Sequence, residues 1–152
     1  MSPRLNPWAA APELMNQMVA YSQSVENAGL ERSLVELVKI RSSQINGCAI
    51  CLHMHATDAR KLGETEARVF MLDAWEETSL YTKREKAALA WTEALTRLSE
   101  TRAPDAAYNA VRAEFSEEEL VKLTLMINAI NSFNRIGVGF RVAPIGEKHE
   151  AA

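Results

Sequence analysis

Nearly every stretch of this chain repeats its apolar residues at helical spacing, and no other feature of the sequence narrows the fold as much. Leu14, Met18, Tyr21 and Val25 follow one another at intervals of four, three and four, the signature of one face of an α-helix. No run alternates apolar and polar residues over the length of a strand, and β-branched residues do not cluster. The expectation is an all-α fold: a single-domain helical bundle of about six to seven helices over residues 1–152. Stop and start signals divide it. A first helix runs from about Ala11 to Ala28 and stops at Gly29. A second covers Leu30 to Gln44, with Leu34, Leu37, Val38 and Arg41 on neighbouring turns, before Asn46-Gly47 breaks the chain. A third runs from Cys48 to Lys61, ended by Gly63, and a fourth from Glu64 to Trp75. Thr82 and Glu85 make a capping box for a fifth helix. Pro104 suits the first turn of a sixth, ending near Phe115. Ser116 and Glu119 make a second capping box, opening a long helix to about Arg135, with fraying expected beyond Gly137 and Gly139.

Composition removes several functional classes. The 17 basic and 20 acidic residues are interspersed and leave a net charge of −3. There is no basic block to neutralise phosphates, so nucleic acid is not an expected partner. The longest charge-free apolar stretch, Leu123 to Phe133, is interrupted by Asn128 and Asn131 and falls short of the ~20 residues that span a bilayer. No membrane helix is expected. The start, Met1 to Pro7, lacks a basic segment leading into an apolar one, and a cytoplasmic location is the expectation. Hydrophobic residues make up 47% of the chain, enough for a conventional core without stapling.

Chemistry is concentrated in Gly47-Cys48-Ala49-Ile50-Cys51-Leu52-His53-Met54-His55. On a helix Cys48, Cys51 and His55 share a stripe, and His53 points elsewhere. A thiol in the first helical turn meets unpaired backbone N–H groups that favour its thiolate. His55 lies one turn beyond Cys51, where its imidazole is placed as a proton acceptor. Buried structural cysteines are the plain alternative. A zinc site is a second, although its four candidate ligands fall within eight residues, whereas structural zinc usually draws on two separated clusters. Haem attachment needs histidine where Leu52 stands. Dithiol redox chemistry fits the pair best, and without strands the carrier is not a thioredoxin fold. No cofactor and no metal are expected.

Glu36, eleven intervening residues, Cys48-Ala49-Ile50-Cys51, three more, then His55: this spacing resembles the signature of the alkyl hydroperoxidase D-like, or carboxymuconolactone decarboxylase-like, family. The resemblance covers about residues 35–98, and Asn131 to Arg141 also resembles a small-protein branch of that family. It implies an all-helical fold, subunits associated as trimers or hexamers, and a dithiol that reduces hydroperoxides or serves a peroxiredoxin. Position by position, Cys51 resembles the thiol that attacks peroxide and becomes a sulfenic acid. Cys48 resembles the more exposed thiol that resolves it as a disulfide and meets the reductant, His55 the relay base, and Glu36 the carboxylate behind it. The donor implied is a dihydrolipoamide-like dithiol or a thioredoxin-type protein. One departure stands out: the best-studied members carry histidine where this chain has Ile50, which removes a proton carrier.

That departure keeps a second reading open, an oligomeric redox-sensing or binding protein that oxidises once. A third is a lactone decarboxylase of the carboxymuconolactone type, a branch that generally lacks the cysteine pair. Trp8, Trp75 and Trp91 read as core or subunit contacts, and Asn128, Asn131 and Asn134 as a polar seam satisfied by backbone or a neighbour. The consecutive apolar residues Val69 to Leu72 and Leu125 to Ile127 exceed what one small core covers and point to homo-oligomerisation.

Overall fold

The computed structural model describes residues 2–143. Its elements are α1 (Pro7–Ala10), α2 (Pro12–Glu26), α3 (Arg32–Asn46), α4 (Ala49–Lys61), α5 (Glu66–Phe70), a 3-10 segment (Met71–Glu77), α6 (Lys83–Thr96), α7 (Leu98–Thr101), α8 (Asp105–Glu114) and α9 (Glu117–Phe140). The fold is all-helical, with more helices among the described residues than the six to seven expected, because short ones flank the long. None is long and apolar enough to cross a membrane.

Helix α3 runs through the centre, packed against α4, α6 and α9. Every residue from Leu34 to Ser43 is buried, charged ones included. One core cluster gathers Leu34, Val35 and Val38 of α3 with Trp91 of α6, Val111 of α8 and Leu123, Met126 and Ile127 of α9. A second gathers Leu37 and Ile40 with Leu72, Trp75, Tyr81 and Leu89. Buried polar side chains join the layers. Asn46 Nδ2 donates to Asn131 Oδ1 at 3.0 Å and to Asn134 Oδ1 at 2.9 Å. Asn134 Nδ2 donates to Ser43 Oγ at 3.0 Å, and Asn131 Nδ2 to Thr96 Oγ1 at 3.1 Å. The amides thus bind α9 to α3 and α6.

Several boundaries depart from the sequence expectation for identifiable reasons. Asn6 caps the extra helix α1, its side chain accepting from the Trp8 and Ala9 amides at 3.0 and 3.2 Å, with Pro7 in the first position. Of the stripe on α2, Val25 is buried and Met18 half-buried, but Leu14 and Tyr21 face solvent and Met15 is buried in their place. The fourth helix splits into α5 and a 3-10 segment kinked at Ala74. Residues three apart eclipse in a 3-10 turn, which turns both Leu72 and Trp75 inward. Pro104 precedes α8 as its cap residue rather than lying inside the first turn. Helix α9 continues past Arg135 through Gly137 and Gly139 to Phe140, with Gly137 packed against α4; most of the tail expected to fray lies outside the described residues. Beyond Gly137 the Arg4 amide donates to the Phe140 carbonyl at 3.0 Å and the Arg4 guanidinium to Gly139 O at 3.2 Å.

Both capping boxes are present as read. The Ser116 backbone N–H and the Arg84 guanidinium hold the Glu119 carboxyl down to about 2. Ser116→Ala should cost about 1 kcal/mol, the usual loss for a capping hydroxyl, read as a lower urea midpoint at unchanged slope. Because the folded pKa of Glu119 lies below its ordinary 4.5, its own contribution is complete above that value and disappears as pH falls toward 2. Glu119→Gln should therefore lower stability at neutral pH, and the gap from wild type should close in acid.

Candidate active site

Gly47 ends α3 in the left-handed region at φ 66°, a conformation glycine adopts without a Cβ penalty. The chain reverses there, and Cys48 becomes the N-cap of α4. Cys48 and Cys51 are joined as a disulfide, their Cα atoms 5.3 Å apart. The two sulfurs thus lie on one stripe at the head of a helix, as their spacing implies. Their exposure is not as the resemblance implies. Cys48 is fully buried and Cys51 retains 6% exposure. The reason is α9: a Cβ on Gly137 would stand 2.7 Å from Cys48 Sγ, 3.3 Å from Ile50 Cγ2 and 3.6 Å from Cys51 Sγ. Only a residue without a side chain lets the helix lie this close. Ile130 and Ile50 complete the apolar packing around the pair.

His55 and Glu36 come together across α4 and α3, with His55 Nδ1 2.9 Å from Glu36 Oε2. The other carboxylate oxygen accepts from Lys39 Nζ at 3.0 Å, and Lys39 also reaches Glu26 Oε2 of α2 at 3.1 Å. Burial works against ionising Glu36, but the hydrogen bond from His55 and the nearby Lys39 ammonium outweigh it and hold the carboxyl below its ordinary value. An ionised Glu36 accepts a proton-bearing Nδ1, which leaves Nε2 as the basic nitrogen of a neutral ring.

A cavity of about 300 Å³ lies over this group. Cys51, His55, Glu36 and Lys39 line its polar side, while Ile50, Met54, Ile130, Phe133, Ile136 and Trp8 supply apolar wall. Cys48 is not part of the lining. Of the four residues singled out from sequence, the cavity therefore unites Cys51, His55 and Glu36, and Cys48 sits behind Cys51. His53 is exposed and outside it. Asn131 and Asn134 serve the helix-joining network, while the Trp75 and Trp91 indoles donate to Glu93 and Thr124 in the protein interior. Trp8, read as a core or subunit contact, is instead cavity wall. Lys39 and Glu26 went unread in the sequence. Lys39 carried a signal, since it falls three residues after Glu36 on the same helix; Glu26 carried none, because it arrives from another helix.

Glu36→Gln removes one of the two carboxylates paired with the buried Lys39 ammonium and leaves Glu26 as its partner, a loss of about 2 kcal/mol for a hydrogen bond to a charged group. Denaturant unfolding at pH 7 should register that loss. The folded pKa of Glu36 is depressed, so its stabilisation is complete above 4.5 and lost as pH falls through the lowered value. The stability difference between wild type and Glu36→Gln should shrink accordingly in acid.

The chain resembles known proteins along most of its length. An uncharacterised protein of Bacillus subtilis, YdfG, is 46% identical over 138 residues, which span 91% of this chain and 94% of that one. A crystal structure from Agrobacterium tumefaciens, a protein of unknown function suggested to be the antioxidant defence protein AhpD, superposes with a TM-score of 0.93 at 42% identity, over 96% of this chain and 100% of that one. An uncharacterised peroxidase-related protein from Silicibacter shares the fold at 21% identity, with a TM-score of 0.80 over 94% of this chain and 76% of its own. The sequence profile of the carboxymuconolactone decarboxylase family matches residues 12–94, a stretch holding Glu36, both cysteines and His55. With more than half of its length inside that profile, this chain belongs to the carboxymuconolactone decarboxylase family.

Proposed function

We propose that the protein is a thiol-dependent peroxidase and disulfide oxidoreductase that reduces hydroperoxides through Cys51 and Cys48. One observation carries the reading: Cys51 lines the same chamber as an imidazole whose Nδ1 lies 2.9 Å from the oxygen of a buried carboxylate. In the reduced state His55 Nε2 takes the Cys51 proton by way of the chamber. The thiolate attacks one peroxide oxygen, the O–O bond breaks, and the alcohol leaves with a proton from the imidazolium. Cys51 is then a sulfenic acid. The Cys48 sulfur displaces its hydroxyl as water and forms the disulfide. Two electrons from an external dithiol restore both thiols. Glu36 stabilises the transient imidazolium, the part a carboxylate plays behind a histidine base.

The protein's homo-oligomeric state belongs to this proposal, supported by Phe70 at 76% and Met71 at 47% exposure, whereas Leu72 of the same run, and Met126 and Ile127 of the other, are buried in the core. The sensing alternative has its own observation: Ile50 fills the position between the cysteines with an apolar side chain packed against them. Stopped-flow fluorescence separates the two, since a sensor oxidises once and stalls while a peroxidase continues as long as dithiol lasts.

With an organic hydroperoxide and excess dithiol, Cys51→Ser should abolish turnover; wild-type consumption in that variant would remove the thiol mechanism. His55→Ala should slow turnover by about 10²-fold, the lower range for loss of a positioned base, and move the pH dependence of Cys51 alkylation upward. Retention of lactone decarboxylation by a Cys48→Ser/Cys51→Ser double variant would favour the decarboxylase reading.

A further inference from the structure

The burial of Cys48 bears on where electrons enter. Cys48 Sγ is enclosed by its own chain: Gly137 of α9 lies on it, Ile50 and Ile130 flank it, and it has no exposed surface. Association with another copy can only add cover. Cys51 is among the residues that line the cavity. A thiolate attacking a disulfide approaches along the S–S axis from behind the sulfur it attacks, and the far sulfur leaves. Cys51 lines the cavity from which a thiolate can come, and Cys48, fully buried under α9, has no such face.

We infer that the reductant attacks Cys51 through the cavity, with Cys48 as the leaving thiolate. This rests on the disulfide cycle of the preceding subsection and reverses the roles that resemblance implies for reduction. The step balances. One donor thiol gives its proton to His55 and its sulfur bonds to Cys51; the Cys48–Cys51 bond breaks, and its electron pair stays on Cys48. The second donor sulfur then displaces Cys51, closing the donor's own disulfide. The donor has lost two electrons, the protein has gained them, and the two donor protons end on Cys48 and Cys51.

Two features suit Cys48 to leave. Cys48 is the N-cap residue of the 13-residue helix α4 and makes no side-chain capping hydrogen bond as the disulfide; a thiolate released there sits at the positive end of the helix dipole, which stabilises negative charge. A lower leaving-group pKa speeds exchange. Enclosure then keeps the released thiolate out of reach of a second donor molecule, so the mixed disulfide forms on one sulfur alone. At about 300 Å³ the cavity has room for a small thiol beside Cys51.

The test uses the oxidised wild-type chain and no variant. One equivalent of 2-mercaptoethanol, acid quenching, N-ethylmaleimide under denaturing conditions and fragmentation of the peptide holding both cysteines locate each label. The expected result is mercaptoethanol on Cys51 and maleimide on Cys48; the reverse pattern, or an even mixture, overturns the inference. Peroxide consumption is measured separately. Labels on Cys51 without peroxide turnover would defeat the proposed peroxidase activity and leave the direction of reduction standing, whereas turnover with labels on Cys48 would do the opposite.

Discussion

The matching of charge along a fully enclosed helix is the constraint from which the rest of this structure follows. Ten consecutive residues of α3, Leu34 to Ser43, are buried, and three of them are Glu36, Lys39 and Arg41. An unpaired charge in such a place costs several kcal/mol, so each must find a partner on a neighbouring element. Arg41 is met by Asp73 of the 3-10 segment and by Glu93 of α6 at 2.7 Å. Lys39 is met from α2, and Glu36 from α4. The pairing that satisfies the central helix also brings a carboxylate, an ammonium and an imidazole to one side of it, beside a disulfide. Structural necessity and chemical opportunity therefore coincide on α3.

The two ends of the helix are treated differently, and the difference shapes the site. Near its C-terminal end the interior is neutral and amide-rich, where Ser43 and Asn46 meet Asn131 and Asn134. That network sets the position of α9 and hence places Gly137 on Cys48. Such fully satisfied buried polar groups favour one arrangement of helices over its near alternatives. The chamber over Cys51 is consequently bounded on one side by ion pairs and on the other by a helix held through amide contacts.

What the sequence made legible was whatever is local to one helix. The capping boxes at Thr82 and Ser116, the stripe of Cys48, Cys51 and His55, and the turn at Gly47 all rest on contacts within four residues, where spacing alone decides geometry. The Glu36 and His55 pairing spans 19 residues and came from resemblance, not periodicity. The illegible part was tertiary. Nothing in Leu14 and Tyr21 tells that α2 presents Met15 inward instead, since an apolar stripe reports a helix more reliably than it reports which side is covered. Nor does a glycine in a terminal segment declare whether it frays the chain or admits a sulfur. Gly137 does the second, and the relative exposure of the two cysteines was misjudged for the same reason.

The amide network also bears on how the protein ages. Asn46 is followed by Gly47, and a small, unhindered successor is the setting in which an asparagine side chain is most open to cyclisation by the next backbone nitrogen and to hydrolysis. Here the Asn46 amide nitrogen is the donor to two side-chain oxygens, at 3.0 and 2.9 Å. Deamidation would set a carboxylate against both of those oxygens, turning two attractions into two repulsions two residues from Cys48. The slow loss of one ammonia would thus loosen α9 and open the disulfide's cover without any oxidant taking part.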